Sequence, residues 1–205
     1  LSQTRMEWVA CDMGIIAIGG ITAPIYHSNT AEQIQYIAEH SEAKLIFLED
    51  QEQLDKVTKV WDRLPSVTKI IVFDAYAPKD MTNVISFKEF IENAIDDDSF
   101  EKCIEKSYPS DVISFIYTSG TTGNPKAGVI TNANVISSIK HLPKILDISQ
   151  KDLTIAYLPL AHIAERLLGH FLKLVCGNQT AFAESIEDMP NNVRQVGPSI
   201  MFGTP

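Results

Sequence analysis

Nine consecutive residues, Thr118-Ser119-Gly120-Thr121-Thr122-Gly123-Asn124-Pro125-Lys126, gather four hydroxyls, two glycines and one lysine directly after an apolar run. That set suits a polyphosphate. Glycines let backbone N–H groups approach phosphate oxygens, hydroxyls donate further hydrogen bonds, and a lysine ammonium neutralises charge. A lone Gly-rich stretch of this composition is more often an ordinary surface turn, because Gly, Thr, Asn and Pro are turn formers. The full string favours the functional reading. Gly120 and Lys126 have the spacing of a P-loop, G-x-x-x-x-G-K-[ST], but Pro125 replaces the second glycine and offers no N–H. Ala127 stands where a hydroxyl would hold Mg²⁺. A Walker A site is excluded.

The other candidates are weaker. His162 falls at the start of a predicted helix, where an imidazole serves first as a polar cap. Glu165 and Arg166 read as a surface pair on that helix. Asp96-Asp97-Asp98 resembles a metal cluster, but consecutive residues do not converge on one ion, so it reads as a solvated run and no metal site is predicted. Cys11, Cys103 and Cys176 are too scattered for a zinc site or a disulfide framework and read as reduced thiols of a cytoplasmic protein.

Short β-branched runs alternate with segments of helical period, which predicts an α/β fold of parallel-type sheets flanked by helices. A first helix is expected over Ser2–Ile18, with Trp8, Cys11, Ile15 and Ile18 on its apolar face and Gly19-Gly20 ending it. A strand follows at Ile21–Ile25. Thr30 and Gln33 have capping-box spacing ahead of Ile34, Ile37 and Ala38. Leu45–Leu48 and Ile70–Phe73 read as strands around a helix carrying Leu54, Val57 and Val60, and Ser86–Ile95 as a further helix.

Val112–Tyr117 and Ala127–Thr131 are expected to form a hairpin around the hydroxyl-rich loop. Asn132 or Asn134 would cap the helix after it. Leu153–Leu158, Thr180–Ala183 and Ser199–Phe202 complete the predicted strands. Helices are expected over His162–Val175, with Leu167, Leu168, Phe171, Leu174 and Val175 on the apolar side, and near Asp188–Val196. Leu1 is not an initiator Met and Pro205 directly follows a predicted strand, so residues 1–205 read as one incomplete domain.

Composition narrows the partners. The chain has 205 residues, 45% hydrophobic and 21% charged, enough for a sizeable core. With 26 acidic against 17 basic residues, a net charge of −9 and no dense basic cluster, nucleic acid is not an expected partner. The most apolar stretch, Gly14–Tyr26, is broken by Gly19, Gly20 and Pro24 and falls short of the ~20 residues that cross a bilayer.

Tyr117 to Lys126 resembles the AMP-binding signature of the adenylate-forming superfamily of acyl-CoA synthetases, luciferases and peptide-synthetase adenylation domains. Ala17-Ile18-Gly19-Gly20-Ile21-Thr22-Ala23-Pro24-Ile25-Tyr26 is similar to an upstream core motif of that superfamily. Tyr157-Leu158-Pro159-Leu160-Ala161-His162-Ile163-Ala164-Glu165-Arg166 and the stretch Gly197–Pro205 resemble its long-chain fatty acyl-CoA synthetase branch. Ala127-Gly128 departs from the usual Gly after the lysine, and Asn132 stands where His is common.

The resemblance implies that Thr118, Ser119, Thr121, Thr122 and Lys126, with Gly120 and Gly123, hold the ATP phosphates together with Mg²⁺. It also implies that the substrate carboxylate attacks the α-phosphate and that the segment at His162 lines the carboxylate end of the acyl site. No Ser or Cys covalent intermediate is expected. Fatty acid, ATP and CoA are the implied substrates, and peripheral membrane association would fit a lipid substrate. Motifs for adenine, ribose, the hinge and the C-terminal lysine are not found in the sequence, so residues 1–205 are read as a partial N-terminal domain that is inactive alone. Two other readings stay open at this level: a nucleotide-binding module without turnover, and an adenylating ligase for a non-fatty acid.

Overall fold

A computed structural model describes residues 1–74, 78, 81–95, 97–118 and 124–203. The first helix, α1 (Met6–Ala17), turns Trp8 and Asp12 inward, while Ile18 is exposed. Gly19, in the left-handed region at φ +78°, takes the chain out of the helix. At Gly20 a Cβ would come within 2.9 Å of the Ile15 carbonyl oxygen, so the second glycine allows the close return. The predicted strand at Ile21–Ile25 is reduced to a single parallel bridge between Thr22 and Ser114. Pro24 withholds one donor from any longer ladder there.

Helix α2 (Ala31–His40) begins at the predicted capping box, with Thr30 and Gln33 each bonded to the other's backbone. Strands β1 (Leu45–Leu48), β2 (Lys69–Val72) and β3 (Val84–Ser86) form a parallel sheet in that order, with α3 (Gln51–Thr58) between the first two. Strand β3 lies where the sequence predicts no strand. Ser86 caps α4 (Phe87–Glu92), and an unpredicted α5 (Ser99–Glu105) follows the aspartate run, of which Asp96 lies outside the described residues.

Strands β4 (Val112–Thr118) and β5 (Lys126–Thr131) pair antiparallel as the predicted hairpin. The cap of α6 (Asn132–Ile139) is Thr131 rather than either asparagine: its hydroxyl accepts from the Asn134 N–H, and the Asn134 side chain returns to the Thr131 backbone. Thr131 is still extended, so the Ncap falls one residue earlier than composition suggests. After α7 (Leu142–Leu146), β6 (Leu153–Ala156) and β7 (Gln179–Phe182) form a second parallel sheet. The predicted Ser199–Phe202 strand is a single bridge, Thr154 to Ile200, beyond α10 (Met189–Val196).

The helix expected over His162–Val175 is divided into α8 (Ile163–Glu165), a π-helical stretch Arg166–Phe171, and α9 (Leu172–Cys176). The wider π turn rotates the register, so Phe171 and Leu172 are buried while Leu174 and Val175, predicted on the apolar side, are exposed. Two hydrophobic clusters result. One joins α2, α3 and the β1–β2–β3 sheet and takes in Tyr117; the other joins Ile113, α6, Phe171 and Leu172. Strand β4 contributes to both, and burying a side chain of this size is worth about 1.5–3 kcal/mol at each end of the strand. The strand leading into the hydroxyl-rich loop is therefore anchored from two sides.

Candidate functional site

The candidate site is built on the loop end of the β4–β5 hairpin. Thr118 closes β4, Lys126 opens β5, the two are partners across the ladder, and both are exposed. Ser119, Gly120, Thr121, Thr122 and Gly123 lie between them, outside the described residues. Helix α2 clasps both arms of the hairpin next to the loop. The Tyr36 hydroxyl donates to the Pro125 carbonyl at 3.0 Å, and His40 Nδ1 lies 2.8 Å from the Tyr117 hydroxyl. The Tyr36 and Tyr117 rings meet edge to face with centroids 6.5 Å apart. Burial raises the Tyr117 phenol above its ordinary range, so it stays protonated at neutral pH. Thr118 and Lys126 thus extend from a fixed base.

His162 sits on another part of the fold, after β6. It caps α8, with Nδ1 accepting the Ala164 N–H at 3.2 Å. A neutral ring in that role carries its proton on Nε2, and because His162 is exposed it presents a donor outward. Buried Thr4 fixes the preceding turn: its hydroxyl donates to the Leu158 carbonyl at 2.7 Å and accepts the Leu160 N–H at 3.1 Å.

The expected surface pair of Glu165 and Arg166 does not form, and both side chains are buried. Arg166, 1% exposed, turns to Asp12 of α1, with Nη2 donating to Oδ2 at 3.1 Å and Nη1 lying 3.0 Å from Oδ1. Its Nη2 also reaches the Thr22 hydroxyl at 3.3 Å. The guanidinium lies between the rings of Trp8 and Phe171, 5.2 and 5.3 Å from their centroids. His170 Nε2 donates to the same Asp12 carboxylate at 3.0 Å. Burial would raise the Asp12 pKa, but the His170 hydrogen bond and the Arg166 charge outweigh it and hold the carboxylate below its usual range. Burial likewise keeps His170 neutral, lowering its pKa against the pull of Asp12. One carboxylate and one guanidinium, with a neutral imidazole, balance inside the core.

Glu165 is the converse case. No ion pair or hydrogen bond compensates its carboxylate among the described residues, and burial pushes it up to about 7 despite the field of Lys173. It folds over Gly169, where a Cβ would overlap the carboxylate. Burial also drives the Cys11 thiol up to about 12, which leaves it unsuited to nucleophilic work.

Asp12, Arg166, His170 and Thr22 were missed as site-related residues in the sequence. The available signal was a charged residue at position i+4 from Trp8, within the apolar stripe of α1. A cavity of about 460 Å³ between α1 and β1, lined by Trp8, Ile15, Ile21, Leu45, Phe47 and Phe115 among others, includes neither Thr118, Lys126 nor His162. Among the described residues no cluster of three or more His, Cys, Asp or Glu side chains could hold a metal ion, and no helix is long and apolar enough to cross a membrane.

Comparison with known proteins adds the lineage. The long-chain-fatty-acid–CoA ligase ACSBG1 of Macaca fascicularis is 32% identical over 208 residues, covering 97% of this chain. ACSBG2 of Xenopus laevis is 31% identical and covers 100%. The chain spans 29% of the length of each of these relatives. Among solved structures, the anthranilate CoA ligase AuaEII in complex with anthranoyl-AMP superposes with a TM-score of 0.85 at 21% identity, over 99% of this chain and 39% of that one. That likeness bears out the α/β fold. The sequence profile of AMP-binding enzymes matches residues 1–205, the whole chain, and by that match it belongs to the AMP-binding enzyme family.

Proposed function

We propose that the full-length protein carrying this chain activates a long-chain fatty acid with ATP and transfers it to CoA. A carboxylate oxygen of the acid attacks the α-phosphorus of ATP, the bond from that phosphorus to the bridging oxygen of the β-phosphate breaks, and pyrophosphate leaves. The resulting acyl-adenylate is attacked at its acyl carbon by the CoA sulfur. The thiol proton is lost, and AMP departs with its phosphate oxygen, leaving the thioester. The substrates supply both nucleophiles, so the protein's task is placement and charge stabilisation.

The observation that carries this reading is the hydroxyl- and glycine-rich string ending in Lys126, on a hairpin whose two arms are both held by α2. In this reading Thr118, Ser119, Thr121 and Thr122 donate hydroxyls to phosphate oxygens, and Gly120 and Gly123 let the backbone approach. The Lys126 ammonium meets the charge that grows on the departing pyrophosphate. Mg²⁺ carried on the ATP phosphates would share that neutralisation. The outward Nε2–H of His162 is suited to orient the acid's carboxylate. The fatty-acid assignment is supported by the two ligases named above, of which this chain covers less than a third.

Pyrophosphate exchange by the full-length protein, run with a panel of fatty, aryl and amino acids, tests the proposal. Exchange dependent on long-chain acids is expected. Exchange confined to other acids would replace the substrate class, and binding of ATP without exchange would leave a nucleotide-binding module. Lys126→Met removes an exposed charge without disturbing the core. Loss of a contact to a charged group, worth about 1.5–3 kcal/mol, should lower kcat/KM for ATP about 10- to 100-fold. An unchanged value would remove Lys126 from the site.

A further inference from the structure

The two parts of the proposed site lie apart, Thr118 and Lys126 on the β4–β5 hairpin and His162 at the start of α8, and a run of buried polar contacts through Arg166 leads from α8 to Ser114 of β4. On one side, the Arg166 N–H donates to the His162 carbonyl at 3.1 Å, one helical turn back. On the other, its Nη2 reaches the Thr22 hydroxyl, which lies 3.1 Å from Ser114 Oγ. The Thr22 backbone is locked to the same strand: its N–H donates to the Ile113 carbonyl at 3.0 Å and its carbonyl accepts the Phe115 N–H at 2.8 Å. Ser114 is four residues from Thr118, and Arg166 four residues from His162. One guanidinium therefore stands a turn of helix from one half of the site and a short length of strand from the other.

This arrangement is not what stability alone would select. Removing Asp12 and Arg166 from water is expensive, and well-packed apolar residues in place of a buried ion pair are often as stable or more so. A guanidinium, unlike an apolar side chain, addresses separate partners in fixed directions. Here Nη2 meets both Asp12 and Thr22, and the rings of Trp8 and Phe171 lie 5.2 and 5.3 Å from the guanidinium carbon, so its position is constrained by partners from α1, from Thr22 beside β4 and from its own helix. We propose that Arg166, with Asp12 and Thr22, is a positioning residue that holds the His162 segment in register with the strand ending at Thr118. The inference rests on the adenylation reading for its role in turnover.

The decisive variant in the full-length protein is the triple apolar replacement Asp12→Leu, Arg166→Met and His170→Phe, which removes the polar junction while keeping its volume. The expected result is a thermal midpoint close to wild type, with kcat for pyrophosphate exchange at least tenfold lower at saturating ATP and acid. Hydrogen exchange supplies a second readout: ATP should protect residues 163–172 as well as 112–118 in the wild type, and only 112–118 in the variant. A stable triple variant with wild-type kcat and wild-type protection would overturn the proposal. Should that variant not fold, Thr22→Val decides, since it removes the hydroxyl that joins Arg166 to Ser114 and to the Ile113 carbonyl while keeping the Asp12 pair and the Thr22 backbone bonds to β4. About a tenfold fall in kcat at unchanged thermal midpoint is then expected, and wild-type kcat overturns the proposal. Failure of the adenylation reading looks different, because the wild type itself would exchange pyrophosphate with no acid. In that event, absence of ATP-linked protection at 163–172 in the wild type refutes the register role too.

Discussion

Replacing Glu165 with Gln gives a sharp test of the buried carboxylate. In the folded chain burial raises this group from 4.5 to about 7, the field of Lys173 opposing only in part. Between those pH values the folded protein retains a proton that the unfolded chain has released, so stability falls as pH rises through the window. Below about 4.5 the penalty is absent, and above about 7 it is complete. At about 1.4 kcal/mol for each pH unit the full penalty is on the order of 3 kcal/mol. Gln keeps the shape and stays neutral, so the variant should gain on the wild type as pH rises from 5 to 8. About three-quarters of that penalty develops between pH 5 and 8, and at about 2–4 °C of thermal midpoint per kcal/mol for a cooperative unit of this size the gap should widen by about 5–10 °C. Differential scanning fluorimetry of the two proteins in matched buffers measures it. A gap that stays constant from pH 5 to 8 would refute the reasoning, because it would mean that Glu165 is ionised in the folded state at no cost.

Two further perturbations address how the site is held. Tyr36→Phe removes the hydrogen bond to the Pro125 carbonyl, a contact worth about 1 kcal/mol, while the ring stays packed on Tyr117. Its effect should appear as a several-fold rise in KM for ATP with KM for the acid unchanged, and equal rises would show that the clasp does not act on the loop. Thr131→Ala deletes the cap that starts α6 where the second arm of the hairpin ends, and should cost about 1 kcal/mol in urea denaturation. Asn132 is not the cap, and its amide donates instead to Ser107 Oγ and the Tyr108 carbonyl. An unchanged stability in Thr131→Ala would refute the cap at Thr131.

Much of the frame was legible because it follows from near neighbours in the chain. The capping box at Thr30 depends on two residues three apart, and the turn out of α1 on two adjacent glycines. The strands β1, β4 and β5 follow from β-branched runs bounded by turn formers. Short-range signals misled where a long-range partner decided the outcome. Ile21–Ile25 and Ser199–Phe202 have strand composition, but each meets its neighbour through a single bridge. Leu174 and Val175 fit the apolar period of an α-helix, and the π turn carries them to the surface.

What the sequence by itself determined is the side-chain composition of the loop. The hydroxyls, glycines and lysine from Thr118 to Lys126 are consecutive, so no fold is needed to bring them together, and Pro125 with Ala127 suffices to exclude the commoner phosphate loop. What only the tertiary structure decided is how the rest is arranged around it. Arg166 and Asp12 are 154 residues apart, and nothing in the period of either helix announces that they will meet. Glu165, adjacent to Arg166 and equally charged on paper, goes into the core without a partner among the described residues. Charge is a property of the residue, but burial and pairing belong to the packing. Packing therefore turned an expected surface pair into one buried ion pair and one carboxyl that titrates near neutrality.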